Sequence, residues 1–404
     1  MPQGGGPDCP ADPAWILWLD SLNQFPFGQI YFPKGRVAQY ILHKLRAGPS
    51  SAPRPQNAMS YSISWVTHFR AVSDGLARIG GRAICNAETG ALDIRARGRR
   101  VELFPQFGFS SADGGTGYLR ALQDNAEYFV GWRPYPVRFW PLSFDKRAFK
   151  AFCRGNNIAT PRQWIRPEDI ETDVLIKQGV SSFSQGISGP YAPATLKRAG
   201  RALNDGEFFE EFISGEIIKV WYWNAMPVCL EVLPMPRVTG DGTRTLRQLI
   251  KLRMSPHAGG DWEAWRTLAE CQGFSLEAVV PNGRQVLIEF RYRSCLRGSQ
   301  PDDVSSNVLA KCAGTPLMEQ LRRSGEVFWR GIPDAVRQDT LFTVDGILDR
   351  SGLARFVEIN SNPAVHPDAY FPMLEGLFAV GASEQAQRPA RAVLQAASVA
   401  TPAQ

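Results

Sequence analysis

Close to the C-terminus the chain reads Phe342-Thr343-Val344-Asp345-Gly346-Ile347-Leu348, then a short polar stretch ending in Ser351-Gly352, then Leu353-Ala354-Arg355-Phe356-Val357-Glu358-Ile359-Asn360. Two runs of strand-forming residues around a turn-forming pair predict a β-hairpin. With Ser351 and Gly352 as its loop, position 345 stands directly opposite position 358. Side chains alternate along each strand, so Asp345, Glu358 and Asn360 share one face, while Val344, Leu348, Val357 and Ile359 share the other. Carboxylates directly opposite one another repel, and a hairpin should avoid that arrangement. A cation that both can grip removes the conflict. Oxygen ligands with one amide carbonyl suit Mg²⁺, which is usually held by one or two carboxylates plus substrate phosphates. The plainer alternative is a solvated hairpin whose acids face water.

A chain of 404 residues exceeds what one hydrophobic core usually serves, so two or three domains are expected. A hydrophobic content of 44% and a charged content of 21% are ordinary for a globular enzyme, and 11 Trp and 23 Phe supply apolar bodies for several cores. The net charge of +6 is spread along the chain rather than gathered in a tract. Such a diffuse excess suits anionic small molecules such as nucleotides and gives no support for a nucleic-acid partner. The seven cysteines are far apart and contain no C-x-x-C pair, so neither a zinc site nor a disulfide framework is expected. A reducing cytoplasm is the expected compartment. The opening residues lack a basic start and an apolar stretch, so no signal peptide is expected. No apolar run reaches the roughly 18 residues a membrane span needs, and no membrane partner is expected.

Along the chain, 15–19 reads as a buried strand, 48–56 as a Gly/Pro/Ser loop, and 66–79 as a helix. Asp145 is placed to cap a helix over 146–154 that Gly155-Asn156-Asn157 stops. Strands are expected at 173–177, 208–213, 217–223 and 228–233, and helices at 194–203, 245–253, 261–271 and 316–329. Asn282-Gly283 predicts a hairpin joining 274–280 to 285–290. The Ala/Gln-rich tail from 383 is expected to be disordered.

Several familiar nucleotide and hydrolase motifs are missing: there is no G-x-x-x-x-G-K-[ST] loop, no G-x-G-x-x-G after a strand, no H-E-x-x-H and no G-x-S-x-G. A phosphate-binding alternative lies at Lys177-Gln-Gly-Val-Ser-Ser-Phe-Ser184-Gln185-Gly186-Ile187. A lysine closing a strand offers a point charge, and a Gly/Ser loop offers backbone N–H groups to phosphate oxygens. Lys146 begins a helix, where the dipole disfavours a cation, which suggests that it works elsewhere. Glu207-Phe-Phe-Glu210-Glu211-Phe212-Ile213-Ser-Gly215-Glu216 reads either as a half-buried strand with an acidic edge or as an edge for a purine.

Taken in order, Asp145-Lys146, Asn157-Ile158-Ala159-Thr160-Pro161, Val174-Leu175-Ile176-Lys177, the glycine loop, Glu210 to Gly215 and Asp345…Glu358-Ile359-Asn360…Pro363 resemble the ATP-grasp superfamily. Val238-Thr-Gly-Asp-Gly242-Thr-Arg-Thr-Leu-Arg-Gln-Leu-Ile250 resembles a segment of its cyanophycin-synthetase-like, amino-acid-ligase branch. The resemblance spans about 140–380. It implies an α/β (α+β) fold with two lobes gripping ATP: a domain over 1–140, a small lobe over 141–215, a large lobe over 216–382, and a tail over 383–404. It implies Lys146 and Lys177 on the α- and β-phosphates, Ser184, Gly186 and Ile187 in a flap, and Glu210, Glu211, Phe212 and Ile213 in an adenine-binding hinge. Glu216 would turn toward the ribose. Asp345, Glu358 and Asn360 would hold Mg²⁺, with two ions expected.

The chain departs from the superfamily's pattern at three places: Gln178 follows the second lysine, Ile217 and Lys219 stand at the usual acidic and arginine positions, and Arg293-Ser-Cys-Leu-Arg297-Gly298 replaces an Asn-Leu-Ser-x-Gly-Gly segment. The implied reaction transfers the γ-phosphate of ATP to a carboxylate and lets an amine attack the acylphosphate, on an amino acid or peptide-like substrate. Arg291, Arg293 and Arg297 alternate ahead of the hairpin, where Arg293 and Arg297 are the expected catalytic cations and Arg237 a lesser candidate. The alternatives are a phosphotransferase on the same scaffold and a nucleotide-binding regulatory module without turnover. A homo-oligomer is compatible with all three. His366 is expected to be structural rather than a substrate contact.

Overall fold

The computed structural model describes residues 30–31 and 65–379, apart from 87, 111–115, 124, 181–185, 255–260 and 292–305. The expected features at 15–19, 48–56 and beyond 383, together with Ser184, Arg293 and Arg297, lie outside the described residues. What is described is a mixed α/β chain built on several sheets. No helix among the described residues is long and apolar enough to cross a membrane.

The first sheet contains β1 (Ile30–Tyr31), β2 (Arg82–Cys85), β3 (Leu92–Ala96), β4 (Arg99–Ser110), β5 (Thr116–Leu119) and β6 (Tyr128–Arg133). The long β4 organises it, pairing with β3 at its start and with β5 and β6 at its end. The helix Trp65–Ile79 covers this sheet because Trp65, Phe69, Val72, Leu76 and Ile79 recur at three- and four-residue steps and bury one stripe. Their core is not closed by the N-terminal residues alone. Trp221, Trp223 and the helix Tyr370–Leu377 pack into the same cluster.

The second sheet has the order β7 (Gln163–Trp164), β10 (Glu207–Glu211), β8 (Val174–Gln178), β9 (Ile187–Tyr191). The third has the order β12 (Met226–Pro234), β11 (Glu216–Trp223), β15 (Leu341–Leu348), β16 (Ala354–Asn360), all antiparallel. A two-stranded ribbon joins β13 (Arg237–Thr239) to β14 (Gln285–Leu287). The helix Lys146–Gly155 begins at the expected cap, where the Asp145 side chain accepts from the Arg147 and Ala148 N–H groups.

Two expectations change. The helix expected over 194–203 runs only Pro193–Ala199, because Gly200 closes it in the left-handed region at φ 58°. The hairpin expected over 274–280 and 285–290 does not form: β14 pairs with β13 instead. The carbonyls of Leu276 and Ala278 accept from Arg247 and Leu246, at the start of the helix Leu246–Arg253. The segment thus satisfies the orphan donors of a helix end rather than a strand partner.

The acidic hairpin forms as β15 and β16, with Asp345 opposite Glu358. Its turn is longer than two residues, since Leu348 pairs with Ala354 and the Asp349 carboxylate accepts from the Ser351 and Leu353 N–H groups. That shift of one residue is reversed by a bulge after Asp345, where Gly346 pairs with Phe356. The two deviations cancel at the acids but not in the core. Phe356, rather than the expected Val357, is fully buried, edge-on to Phe328 at 5.1 Å.

Just beyond β16 the chain is clamped from two sides. Val365 N–H donates to Val130 on β6 at 2.9 Å, and the Trp221 indole donates to the Ala364 carbonyl at 2.8 Å. Gly131 makes this approach possible: its φ is 126°, and a Cβ there would lie 2.6 Å from that of Val365. The first sheet is thereby held against the end of the acidic hairpin. Phe356→Ala is expected to lower unfolding free energy by about 3–5 kcal/mol, and Val357→Ala by less than about 1 kcal/mol, measured by denaturant titration. Equal losses would contradict the bulge.

Candidate functional site

A cleft of about 860 Å³ lies between the second and third sheets, bordered by the first. It is within the size range of small-molecule sites. The third sheet contributes a straight cross-strand row. Lys219 on β11 stands opposite Glu231 on one side and Asp345 on the other, and Asp345 stands opposite Glu358. Lys219 Nζ donates to Asp345 Oδ1 at 2.7 Å, and Asn360 Nδ2 donates to Asp345 Oδ2 at 3.1 Å. Glu231 is buried and accepts from the Ser306 hydroxyl at 2.7 Å.

From the other side comes the helix Lys146–Gly155. Lys146, on its first turn, is buried and places Nζ 3.3 Å from Glu358 Oε2. Four residues on, and so on the same helix face, Lys150 is fully buried and pairs with Glu210 Oε2 at 2.6 Å. Lys177 on β8 is opposite Phe208 on β10, which puts it on the diagonal of Glu210 on the same face. Its Nζ lies 2.5 Å from Glu210 Oε1. Glu210 thus holds two lysines at once. The Thr160 hydroxyl accepts from Lys150 at 3.2 Å and donates to the Phe356 carbonyl at 2.8 Å, joining the lysine cluster to the bulge of the acidic hairpin.

The charges shift one another. Burial raises Asp345 above the usual carboxylate range and the facing Glu358 adds to this, with Lys219 opposing. Burial also acts to raise Glu358, but Lys146, Lys177 and Lys219 outweigh it and hold the carboxyl below its usual value. Glu210 is likewise held low, the burial effect being overcome by Lys150 and Lys177. Burial pushes Lys150 down, against the pull of Glu210. Among the described residues no three His, Cys, Asp or Glu side chains cluster as a metal site. The donor set here is two carboxylates and an amide. The Asp345 and Glu358 side chains keep 20% and 31% of their surface open to the cleft. With the Asn360 amide nitrogen turned to Asp345, its oxygen is left for another partner. This set fits a hard divalent cation.

Of the residues singled out in the sequence, Lys146, Lys177, Ile187, Glu210, Glu211, Phe212, Ile213, Asp345, Glu358 and Asn360 all line the cleft. The Phe212 ring meets Phe290 edge-on at 5.5 Å, and the Glu211 carboxylate accepts from the Arg162 N–H at 3.0 Å. Gly186 does not line it, and its carbonyl accepts from the Gln178 N–H. Glu216 is exposed and does not line the cleft. Side chains alternate on β11, so a strand that turns Ile217 and Lys219 into the cleft turns Glu216 away. Arg291 lines the cleft but is gripped by Glu289 through Nε and Nη2, both at 2.9 Å, and by Asp261 at 3.0 Å. Arg237 donates to Ser214, and His366 is fully buried with Nδ1 accepting from the Asp368 N–H.

Three residues were missed. Lys219 was noted only as a departure, although a lone charge within Ile217-Ile218-Lys219-Val220-Trp221 demands a partner. Lys150 carried the signal of its i,i+4 relation to Lys146. Arg133, on β6, carried none.

No protein-family model matches the chain, and no curated protein matches it. Among solved structures it is similar to a bifunctional glutathione synthetase from Pasteurella multocida, at 12% identity and a TM-score of 0.36, over 80% of this chain and 44% of that one. It is similar to a D-alanine–D-alanine ligase from Bacillus anthracis, at 13% identity and a TM-score of 0.30, over 58% of this chain and 66% of that one. It is also similar to the ATP-grasp ligase PsnB, at 12% identity and a TM-score of 0.30, over 58% of this chain and 60% of that one. The chain thus spans less than two thirds of the length of each.

Glu210→Gln is expected to cost about 3–5 kcal/mol at neutral pH, because it strands two buried lysines. A carboxyl held below its ordinary value of 4.5 stabilises the fold above that pH and loses the effect as pH falls through the folded value. The gap in Tm between wild type and Glu210→Gln is therefore expected to narrow below about pH 4.5, as followed by calorimetry. A gap independent of pH would contradict the pairing.

Proposed function

We propose that the chain is an ATP-grasp enzyme, an ATP-dependent carboxylate–amine ligase acting on an amino acid or peptide-like substrate. One observation carries the reading. Lysines from three separate elements converge with an opposed carboxylate pair and an amide on a single cleft. Polyphosphate needs cations from several directions, and its metal needs oxygen ligands between them. The apolar wall of Phe212, Ile213, Ile217 and Met235 offers a flat ligand such as adenine a surface to stack on.

In this reading Lys146 and Lys177 bind phosphate oxygens and Lys219 adds charge beside them. Lys150 stays on Glu210 and fixes it as the second anchor of Lys177. Asp345, Glu358 and the Asn360 amide oxygen would hold Mg²⁺, which supplies charge neutralisation for the transferring phosphoryl group. A substrate carboxylate oxygen attacks the γ-phosphorus and ADP leaves. The amine nitrogen then attacks the acyl carbon, phosphate leaves, and the amine gives up a proton, so that an amide, ADP and phosphate result. Positioning and fixed charge do most of this work. The lobes would be 141–215 and 216–382.

The test is ADP release across paired carboxylates and amines. The ligase reading expects ADP only when both are present, and at least about a 100-fold loss of turnover in Glu358→Gln with the fold retained. A stable phosphorylated product formed without amine would identify a phosphotransferase instead, and near-normal turnover in Glu358→Gln would refute the assignment of the hairpin.

A further inference from the structure

Among the described residues, the buried lysines around the cleft are paired with carboxylates, and Arg133 is not. Lys146, Lys150, Lys177 and Lys219 each meet a carboxylate within 3.3 Å. Arg133, the last residue of β6, is 1% exposed and lines the same cleft. Its Nε and Nη1 have no hydrogen-bond partner among the described residues, and Nη2 reaches the Pro136 carbonyl at a long 3.5 Å. The Tyr135 ring lies 5.6 Å from the guanidinium carbon, and Tyr118, Tyr370 and Arg120 also act on its charge. Burial pushes this guanidinium below its ordinary value, against the opposing influence of Tyr135. An uncompensated buried cation is costly, and an anion arriving from outside would relieve that cost.

A second group points the same way. Gln106 on β4 stands opposite Gly131, and Phe104 stands opposite Arg133, so Gln106 and Arg133 lie diagonally on one face of the first sheet. Gln106 is buried, lines the cleft, and leaves its Oε1 without a partner among the described residues. Thr343, across the cleft on β15, does the same with its hydroxyl. Both are oxygen acceptors lining the same cleft as Arg133. The phosphate-binding lysines belong to the second and third sheets and to the helix Lys146–Gly155, whereas Arg133 and Gln106 belong to the first.

We propose that Arg133 and Gln106 form a recognition point for an amino-acid substrate, with the guanidinium taking its carboxylate and the Gln106 carbonyl taking a neighbouring N–H. Arginine suits this role because its planar fork matches a carboxylate. The first sheet, which the ligase reading leaves without a part, becomes the wall that selects the substrate. The proposal deepens that reading and rests on it for the nucleotide on the opposite wall.

The experiment is a thermal-shift titration of the full chain, free and with Mg²⁺ and the non-hydrolysable analogue AMPPNP, against each of the common L-amino acids and its primary carboxamide. At least one amino acid is expected to raise Tm while its carboxamide does not. Arg133→Met is expected to weaken that amino acid about 10- to 100-fold, Arg133→Lys less so, and AMPPNP affinity is expected to stay within about twofold. Ligand-free Arg133→Met is expected to be as stable as wild type or more so, which a merely structural arginine would not allow. The proposal is overturned if no amino acid shifts Tm, if the carboxamide serves equally, if Arg133→Met keeps the response or loses ligand-free stability, or if AMPPNP affinity falls tenfold instead. Failure of wild type to bind AMPPNP while the amino-acid response depends on Arg133 would remove the nucleotide reading and leave this one standing.

Discussion

The cross-strand row Glu231, Lys219, Asp345, Glu358 is the constraint on which the rest of the site depends. Antiparallel pairing forces four charged side chains into one line, with two like charges adjacent at one end. Lys219 compensates Asp345 from its own sheet, and Lys146 compensates Glu358 from the opposite wall. Asp345 is thus balanced within its own sheet, whereas Glu358 depends on a charge from the opposite wall. The cleft exists because the charge that balances its floor stands on another element.

The same logic extends outward. Glu210 fixes Lys150 and Lys177 from within the second sheet, and Thr160 ties Lys150 to the bulge of β16. The segment after Asn360 is held by Val130 and Trp221, which brings the first sheet against the third. Residues of all three sheets line the cleft.

Much of this was legible in the sequence where the physics is local. The cap at Asp145, the pairing of Asp345 with Glu358 and the mixed α/β class follow from short-range rules. The hairpin came out right at the acids for a partly wrong reason: a longer turn and a bulge offset one another, which the burial of Phe356 in place of Val357 exposes. The strand expected at 274–280 failed because helix N–H groups elsewhere claim its carbonyls. Strand alternation sets Glu216 off the cleft that Ile217 and Lys219 line, a rule that was available. Arg133 could not have been found, since its meaning lies in what does not surround it, and that is set by packing between distant segments.

The most direct test of the account is calorimetric titration of AMPPNP into wild type and Glu358→Gln, with and without Mg²⁺. The account predicts binding to wild type that is strengthened by Mg²⁺, and binding to Glu358→Gln that Mg²⁺ no longer strengthens. No binding to wild type, or the same Mg²⁺ dependence in both proteins, would contradict it.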